Sequence, residues 1–310
     1  MIFEPIRASM LSRLRLQNMA KQVRSESTAQ DPAGRQRELM AKGLPKKKPI
    51  LGVKQILLVA SGKGGVGKTT TSVNLAVALK TLSPHREIGL LDADVFGPSV
   101  PLMMNLQSES PLLTKDNLMK PLINYGVKCI SMGNLITEQS AAIWRGLMVM
   151  QALNKLTREV AWGPVDYLII DTPPGTGDTH LSLVQNFPIA GALLVTTPQS
   201  AALQVTRRGL TMFEKLKIPV AGLVENMSCV VCPNCQHTTQ LFGDKVKAFA
   251  ETHSLNILAK IPLDPSVTNA SDEGTPVTVQ QPDSELAKAY LKLAAQVESF
   301  LADRASENPT

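Results

Sequence analysis

The sequence predicts an α/β fold in three layers, with a mostly parallel central sheet between two layers of helices. Strand-like and helix-like segments alternate from residue 53 onward, and this alternation is typical of parallel sheets with right-handed crossovers. Hydrophobic residues make up 44% of the chain and aromatic residues only 4%, as expected for aliphatic strands that are buried on both faces. A glycine-rich segment of the type that binds phosphate follows the first strand.

The first 43 residues are predicted to form a targeting segment and linker. Residues 1–30 are rich in Arg and Ser and poor in acidic residues, which favours mitochondrial import, although a disordered basic tail fits this composition as well. The charged, proline-containing stretch 43–49 marks the entry into the folded part. We therefore expect one domain over residues 44–310 and a location in the mitochondrial matrix.

The charge and hydropathy of the chain argue against two classes of partner. The net charge of +6 is modest and much of the excess lies in the first 54 residues, so no nucleic-acid partner is expected. No apolar run approaches the roughly 20 residues that a membrane span requires. We therefore expect no stable membrane insertion.

The individual strands and helices are predicted from apolar runs and helical spacing. The first strand, residues 55–60, precedes a helix at residues 69–81. The later strands are predicted at residues 88–91, 128–131, 167–170, 192–196, 220–225 and 255–259. The helices between them are predicted at residues 147–158, 179–186, 201–216 and 243–252. A final helix, residues 284–302, is expected to pack on the domain, because its mixed polar face argues against a membrane-surface role.

The segment after the first strand is expected to hold ATP and Mg²⁺. It fits G-x-x-x-x-G-K-[ST], in which glycines let the backbone N–H groups curl around phosphate oxygens and the following helix adds its dipole. Lys68 is expected to contact the β- and γ-phosphates, and the Thr69 hydroxyl to complete the magnesium shell. The predicted binding segment is Gly62, Lys63, Gly64, Gly65, Val66, Gly67, Lys68, Thr69 and Thr70.

Lys63 is a second lysine just inside this loop. The run Lys-Gly-Gly-Val-Gly-Lys-Thr resembles the loop of the deviant Walker A ATPases, a type of P-loop NTPase fold. In that family the extra lysine reaches the nucleotide of the partner subunit. The resemblance therefore implies a homodimer with two ATP molecules at or near its interface, slow ATP hydrolysis, and catalytic roles for Lys63 and Lys68.

Two of the predicted strands end in carboxylates. Asp92 and Asp94 follow the run 88–91, and Asp171 follows the run 168–170; such strand ends meet beside the phosphate loop. We predict that Asp92 holds magnesium through water, that Asp94 orients the attacking water, and that Asp171 is the Walker B aspartate. Either segment alone fits a helix N-cap or a solvated strand end. The turn 173–178 is predicted to sense the γ-phosphate.

A cysteine cluster indicates metal or redox chemistry in a reducing compartment. Cys229, Cys232 and Cys235 are too close in sequence for a disulfide framework. Cys232 and Cys235 form a C-x-x-C turn, which supplies half of a tetrahedral zinc or iron–sulfur site. With Cys229 and His237 it could form a zinc site within one chain; a redox pair and two structural thiols are further alternatives. Cys129, within a predicted strand, is expected to be a packing residue.

Together these motifs resemble the Mrp/nucleotide-binding-protein family of iron–sulfur cluster carriers. The matching segments are residues 62–70, 92–101, 171–178 and 226–228 followed by the C-x-x-C pair. The resemblance covers nearly everything from about residue 44 to 300. Segments 43–45, 144–150 and 281–282 resemble its mitochondrial branch, the assembly factor for respiratory complex I.

The resemblance implies a [4Fe–4S] cluster bridged between the C-x-x-C pairs of two subunits. The cluster would pass to apo iron–sulfur clients, with complex I subunits expected among them. It also implies that Asn226 and Pro262 contact the adenine base. Cys229 is not required by the family motif and is left out of the core site.

Two other functions compete with the cluster carrier. A positioning or partition ATPase that acts on membrane or DNA would share Lys63 and the aspartates, but gives the cysteine pair no role. An electron-transfer iron protein of the nitrogenase type takes its two cysteines from separate loops, which this sequence does not offer.

Overall fold

An eight-stranded sheet forms the centre of the computed structural model, which describes residues 47–95, 97–135 and 146–307. The strands of the chain are β1 (Val53–Ser61), β2 (Ile88–Asp92), β3 (Leu122–Asn124), β4 (Val127–Ser131), β5 (Val165–Asp171), β6 (Gly191–Thr196), β7 (Val220–Asn226), β8 (Val230–Val231), β9 (Thr238–Thr239) and β10 (Ile257–Ile261). The sheet order is β10-β7-β6-β1-β5-β2-β4-β3. Within this part of the chain, only the β3–β4 pair of the sheet is antiparallel.

Helices cover both faces of the sheet. They are α1 (Lys68–Leu82), α2 (Val100–Met103), α3 (Gly146–Arg158), α4 (Asp178–Asn186), α5 (Ser200–Lys215), α6 (Lys245–Thr252), α7 (Pro265–Asp272), α8 (Val277–Gln280) and α9 (Glu285–Glu307). Leu57 and Val59 of β1 pack with α1 and α9, while Ile56 and Leu58 pack with α3–α6 on the opposite face. This alternation follows from the two-residue period of a strand. The predicted three-layer α/β fold is confirmed.

Most predicted elements are confirmed, and one strand was placed two residues too early. The strand predicted at residues 255–259 is β10, Ile257–Ile261. Leu255 is part of the turn that closes α6, since its N–H donates to Ala250 O at 2.9 Å. The short β3, the β8–β9 hairpin and helices α2, α7 and α8 were not predicted, because such short segments carry little hydrophobic periodicity.

The C-terminal helix is longer than predicted and belongs to the core. It spans Glu285–Glu307 and buries an apolar stripe against α1 and β10. The stripe consists of Leu286, Ala287, Tyr290, Leu293, Ala294, Val297 and Leu301. Among the described residues, no helix has the length and apolar character that a membrane crossing requires.

Two predictions fall on other parts of the chain. The targeting segment, residues 1–43, lies outside the described residues, and so do the first two residues of the 144–150 motif.

Candidate functional site

The phosphate loop lies between β1 and α1 and has no room for a side chain at two of its glycines, Gly62 and Gly67. Gly67 has a φ of 82°, which favours glycine. A Cβ at Gly67 would lie 2.1 Å from Nδ2 of Asn226, and one at Gly62 would lie 2.6 Å from the backbone N of Thr206. Neighbouring residues of β7 and α5 therefore fix the path of the loop.

The N-terminus of α1 adjoins this loop, and its first backbone N–H groups can donate hydrogen bonds to a ligand. Gly67 occupies the N-cap position, and no side chain within the described chain caps it. Thr71 N–H donates to Gly67 O at 2.9 Å, so the N–H groups of Lys68, Thr69 and Thr70 precede the first intrahelical bond. Such a helix end is suited to bind an anion.

Asp171 joins the side chains that were predicted to bind phosphate and magnesium. Its Oδ2 accepts hydrogen bonds from Lys68 Nζ at 2.6 Å and Thr69 Oγ1 at 2.7 Å. Its Oδ1 accepts from Ser72 Oγ at 2.6 Å. Lys68 is only 6% exposed and Asp171 is fully buried, which strengthens their ion pair relative to one in water. The sequence motifs therefore converge on one buried polar cluster.

Asp92 lies beside Asp171 on the neighbouring strand, in direct register. Burial, and then the negative charge of Asp171, raise the pKa of Asp92 to about 7. Hydrogen bonds from Ser131 Oγ at 2.9 Å, Asp94 N at 3.1 Å and Val100 N at 3.2 Å oppose that rise. Burial beside Asp171 thus favours the protonated form of Asp92, and a bound cation would favour its ionised form.

Asp94 approaches the phosphate loop from beyond the end of β2. Its Oδ2 is 3.8 Å from Lys68 Nζ. The backbone N–H of Asp94 donates to Asp92 Oδ1, so the chain turns between the two residues. Asp92 is held toward β4 and Asp94 lies beside Lys68, and these different surroundings suit different roles.

The turn after β5 lies next to the end of β1. Thr172 Oγ1 donates to Val59 O at 2.9 Å, and Gly175 N–H donates to Ser61 O at 2.8 Å. The turn predicted to sense the γ-phosphate therefore adjoins the strand that leads into the phosphate loop.

Three residues of the site were missed by sequence reasoning. Ser72 could have been found, because it lies one helical turn after Thr69 and so shares its face of α1. Ser131 ends a predicted strand and contacts Asp92, but nothing in its local sequence indicates that contact. His180 has no local signal that separates it from an ordinary core histidine.

His180 is a buried neutral base close to the site. It is 1% exposed, and its ring meets Phe213 edge-on with centroids 6.4 Å apart. Burial, and then the positive charge of Lys68, lower the pKa of His180 to about 4. Within the described residues its Nε2 has no hydrogen-bond partner.

Asn226 and Pro262 lie on two neighbouring segments behind the phosphate loop. Asn226 Nδ2 donates to Val66 O at 2.8 Å, so Asn226 contacts the loop itself. Ser228 N–H donates to Ile261 O at 3.0 Å, directly before Pro262. The hydrogen bond between Ser228 and Ile261 thus connects the segment after Asn226 to the segment before Pro262. The contact of Asn226 and Pro262 with adenine stays a prediction.

The predicted cluster ligands lie on a hairpin outside the main sheet. Strands β8 and β9 pair, with Val231 opposite Thr238. Cys232 N–H donates to His237 O, and Gln236 N–H to Cys232 O, each at 2.9 Å. Cys235 is exposed and Cys232 is half-buried. Hydrogen bonds from the backbone N–H groups of Cys235 and Asn234 lower the pKa of the Cys232 thiol, which favours the thiolate needed for metal binding.

The other cysteines do not complete a site within one chain. Cys129 is buried in β4 and packs in the core, as predicted. Cys229 is half-buried, and the Ser228 hydroxyl lies 3.8 Å from its Sγ. No group of three or more His, Cys, Asp or Glu side chains is arranged to hold a metal in the described ranges. The alternative zinc site with Cys229 and His237 therefore gains no support.

Lys63 differs from Lys68 in its surroundings. Lys68 is buried in the site, whereas Lys63 lies on the exposed part of the loop. No ion pair to Lys63 occurs within the part of the chain that the structure describes. Its ammonium group is therefore accessible to a second molecule.

Comparisons with known proteins agree with this arrangement. Residues 52–298 match the ParA-type family model described as NUBPL iron-transfer P-loop NTPase. The chain is 53% identical to the iron–sulfur cluster transfer protein NUBPL of Mus musculus, over 85% of this chain and 82% of that protein. It is 50% identical to the iron–sulfur protein required for NADH dehydrogenase, mitochondrial, of Arabidopsis thaliana, over 83% and 82% of the two chains.

A solved structure gives the same result for the fold. The nucleotide-binding protein of Archaeoglobus fulgidus, in complex with ADP, has a TM-score of 0.65 and 33% identity to this chain. The match covers 77% of this chain and 93% of that one.

Proposed function

Since the chain belongs to the NUBPL iron-transfer P-loop NTPase family, we propose that it is an ATP-binding iron–sulfur cluster carrier. It holds a [4Fe–4S] cluster between two subunits and transfers the cluster to apoproteins. Subunits of respiratory complex I are the proposed clients, in keeping with the relative required for NADH dehydrogenase. The proposed location is the mitochondrial matrix.

The exposed hairpin with Cys232 and Cys235 carries this proposal. The described residues offer these two thiols no further metal ligand, whereas a [4Fe–4S] cluster takes four thiolates. A second copy of the hairpin supplies the missing pair. Val231 and Leu241 flank the cysteines and are 42% and 52% exposed, which provides apolar surface for such a contact.

The buried polar cluster fits ATP and Mg²⁺. Oxygens of Thr69 and Asp92 are the donors that magnesium prefers, and the α1 N-terminus suits phosphate. Bound magnesium would neutralise charge on the phosphates. Lys68 would then turn from Asp171 to the phosphate oxygens, and Asp94 would hold the attacking water. The proposed activity is slow ATP hydrolysis in service of the carrier.

The test is anaerobic reconstitution of the full chain with iron and sulfide. We expect roughly four irons per dimer and broad absorption near ~400 nm. Cys232→Ala and Cys235→Ala should each lose most of this iron, because each removes one thiolate per subunit. Cys229→Ala is the matched control and should keep the iron content of the parent. Equal iron in all four proteins would refute the proposal.

A positioning or partition ATPase remains the rival function. Co-sedimentation with liposomes or DNA in the presence of ATP separates the two, and we expect none. A positioning or partition ATPase has no role for the C-x-x-C hairpin, whereas a cluster carrier uses its cysteines as ligands.

A further inference from the structure

We propose that a basic groove along α5 is the docking site for an acidic, amphipathic segment of the protein that exchanges the cluster with this one. The basic groove is defined by Arg207, Arg208, Lys215 and Lys245. The inference rests on the proposed carrier function and adds to it the surface that the exchange partner contacts.

Two cavities that share Arg207 form the groove. One, of about 510 Å³, lies between α4 and α5 and includes Arg208, Lys215 and Thr176. The other, of about 420 Å³, lies between α5 and α6 and includes Lys245. Each has a volume sufficient for several side chains of a bound segment. Because Arg207 lines both cavities, they adjoin at this side chain.

The groove carries unneutralised positive charge. Among the lining residues that the structure describes, none is Asp or Glu. Within the described residues, none of its four cations forms an ion pair. Lys245 Nζ donates only to a neutral partner, Ser200 Oγ, at 2.7 Å. A surface of one charge without counter-charges favours a partner of the opposite charge.

The floor of the groove is apolar. Leu181, Met212 and Leu216 line the larger cavity and are each half-buried. A polyphosphate backbone gains little from such a floor, whereas a polypeptide with alternating acidic and aliphatic side chains fills both parts of the groove. The combination therefore favours an acidic protein segment over nucleic acid.

The groove includes residues from two segments that follow the proposed functional motifs in the chain. Thr176, at one end, belongs to the turn that follows Asp171 and adjoins the end of β1. Lys245, at the other end, begins α6, which follows the cysteine hairpin after residues 240–244. A partner bound here would contact the turn that is predicted to sense the γ-phosphate.

The test measures the affinity of the full-length, cluster-loaded protein for a fluorescein-labelled peptide of alternating Glu and Leu, by fluorescence anisotropy. Arg207→Glu combined with Arg208→Glu should weaken binding at least about tenfold, because each reversal turns an attraction into a repulsion. Lys115→Glu combined with Lys292→Glu changes the net charge equally at exposed sites elsewhere and should stay within about twofold of the parent. Thr211→Trp, which fills the groove without a charge change, should also weaken binding.

Several results would overturn the assignment. Docking at this site is excluded if the parent does not bind the peptide. It is also excluded if the Lys115/Lys292 control loses as much affinity as the Arg207/Arg208 variant, or if Thr211→Trp keeps the parental affinity. A shift from dimer to monomer in the Arg207/Arg208 variant would make the groove a contact between copies of this chain. Parental binding to phosphatidylserine vesicles that the same variant loses would make it a membrane contact. Iron content measured in parallel keeps this question separate from the carrier function, because the variant should load the cluster normally.

Discussion

The proton on Asp92 links the nucleotide site to the stability of the fold. The pKa of this carboxyl is about 7 in the folded protein, against an ordinary value of 3.8. Between these pH values the folded protein binds a proton that the unfolded chain has released. The free energy of unfolding therefore decreases as pH rises from about 4 to about 7.

Asp92→Asn should remove much of this pH dependence, because the amide imitates the protonated acid. We expect the nucleotide-free variant to gain stability over the parent at pH 8, by up to a few kcal/mol, and to gain little at pH 4. Urea unfolding followed by circular dichroism at a series of pH values measures the difference. Asp116→Asn, on the exposed surface, should retain the parental profile, and a parental profile in Asp92→Asn would contradict the prediction.

At the residue scale, sequence reasoning found the groups whose spacing is set by one continuous loop or strand end. Lys68, Thr69 and Asp171 belong to such motifs, and the structure brings them into direct contact. Ser131 contacts Asp92 across two strands, and His180 gains its low pKa from burial. Contacts of this kind depend on tertiary packing, which no local pattern records.

The C-terminal helix α9 is a structural element with no residue in the site. Leu293 is fully buried in its stripe against the core. Leu293→Ala should lower the free energy of unfolding by about 2–5 kcal/mol, since the cavity adds to the lost apolar transfer. Iron binding per folded dimer should be unchanged.

Lys292→Ala, one residue away and exposed, is the comparison for this helix. It should change the free energy of unfolding by no more than about 0.5 kcal/mol in urea titrations. A similar loss in both variants would contradict the attribution of this stability to the burial of Leu293, because alanine is at least as good a helix former as either residue.

At the element scale, long apolar strands and amphipathic helices could be predicted, and their ends less well. The β8–β9 hairpin has only two residues in each strand, which is too short for any period to be visible. The C-x-x-C pair indicated its chemistry, but only the structure shows that the pair projects on a hairpin away from the eight-stranded sheet.

The proposed assembly as a dimer is tested at Lys63. Because Lys63 is exposed while Lys68 is buried in the site, Lys63→Ala should retain ATP binding but lose ATP-dependent dimerisation. Sedimentation velocity with a non-hydrolysable ATP analogue measures the dimerisation. Equilibrium dialysis measures the nucleotide affinity.

Lys68→Ala separates the two lysines. It should lose nucleotide binding itself, because it removes the buried cation beside the α1 N-terminus. If Lys63→Ala dimerised with ATP as the parent does, the cross-subunit role of Lys63 would be wrong.

The hydrogen bond between Lys68 and Asp171 has a consequence for nucleotide binding. The Asp171 carboxylate accepts a hydrogen bond from Lys68, the lysine that is expected to contact phosphate oxygens. The chain thus contains its own competitor, and every incoming nucleotide must exchange with it. We expect this competition to lower the affinity of the site for phosphate ligands, ATP and ADP alike.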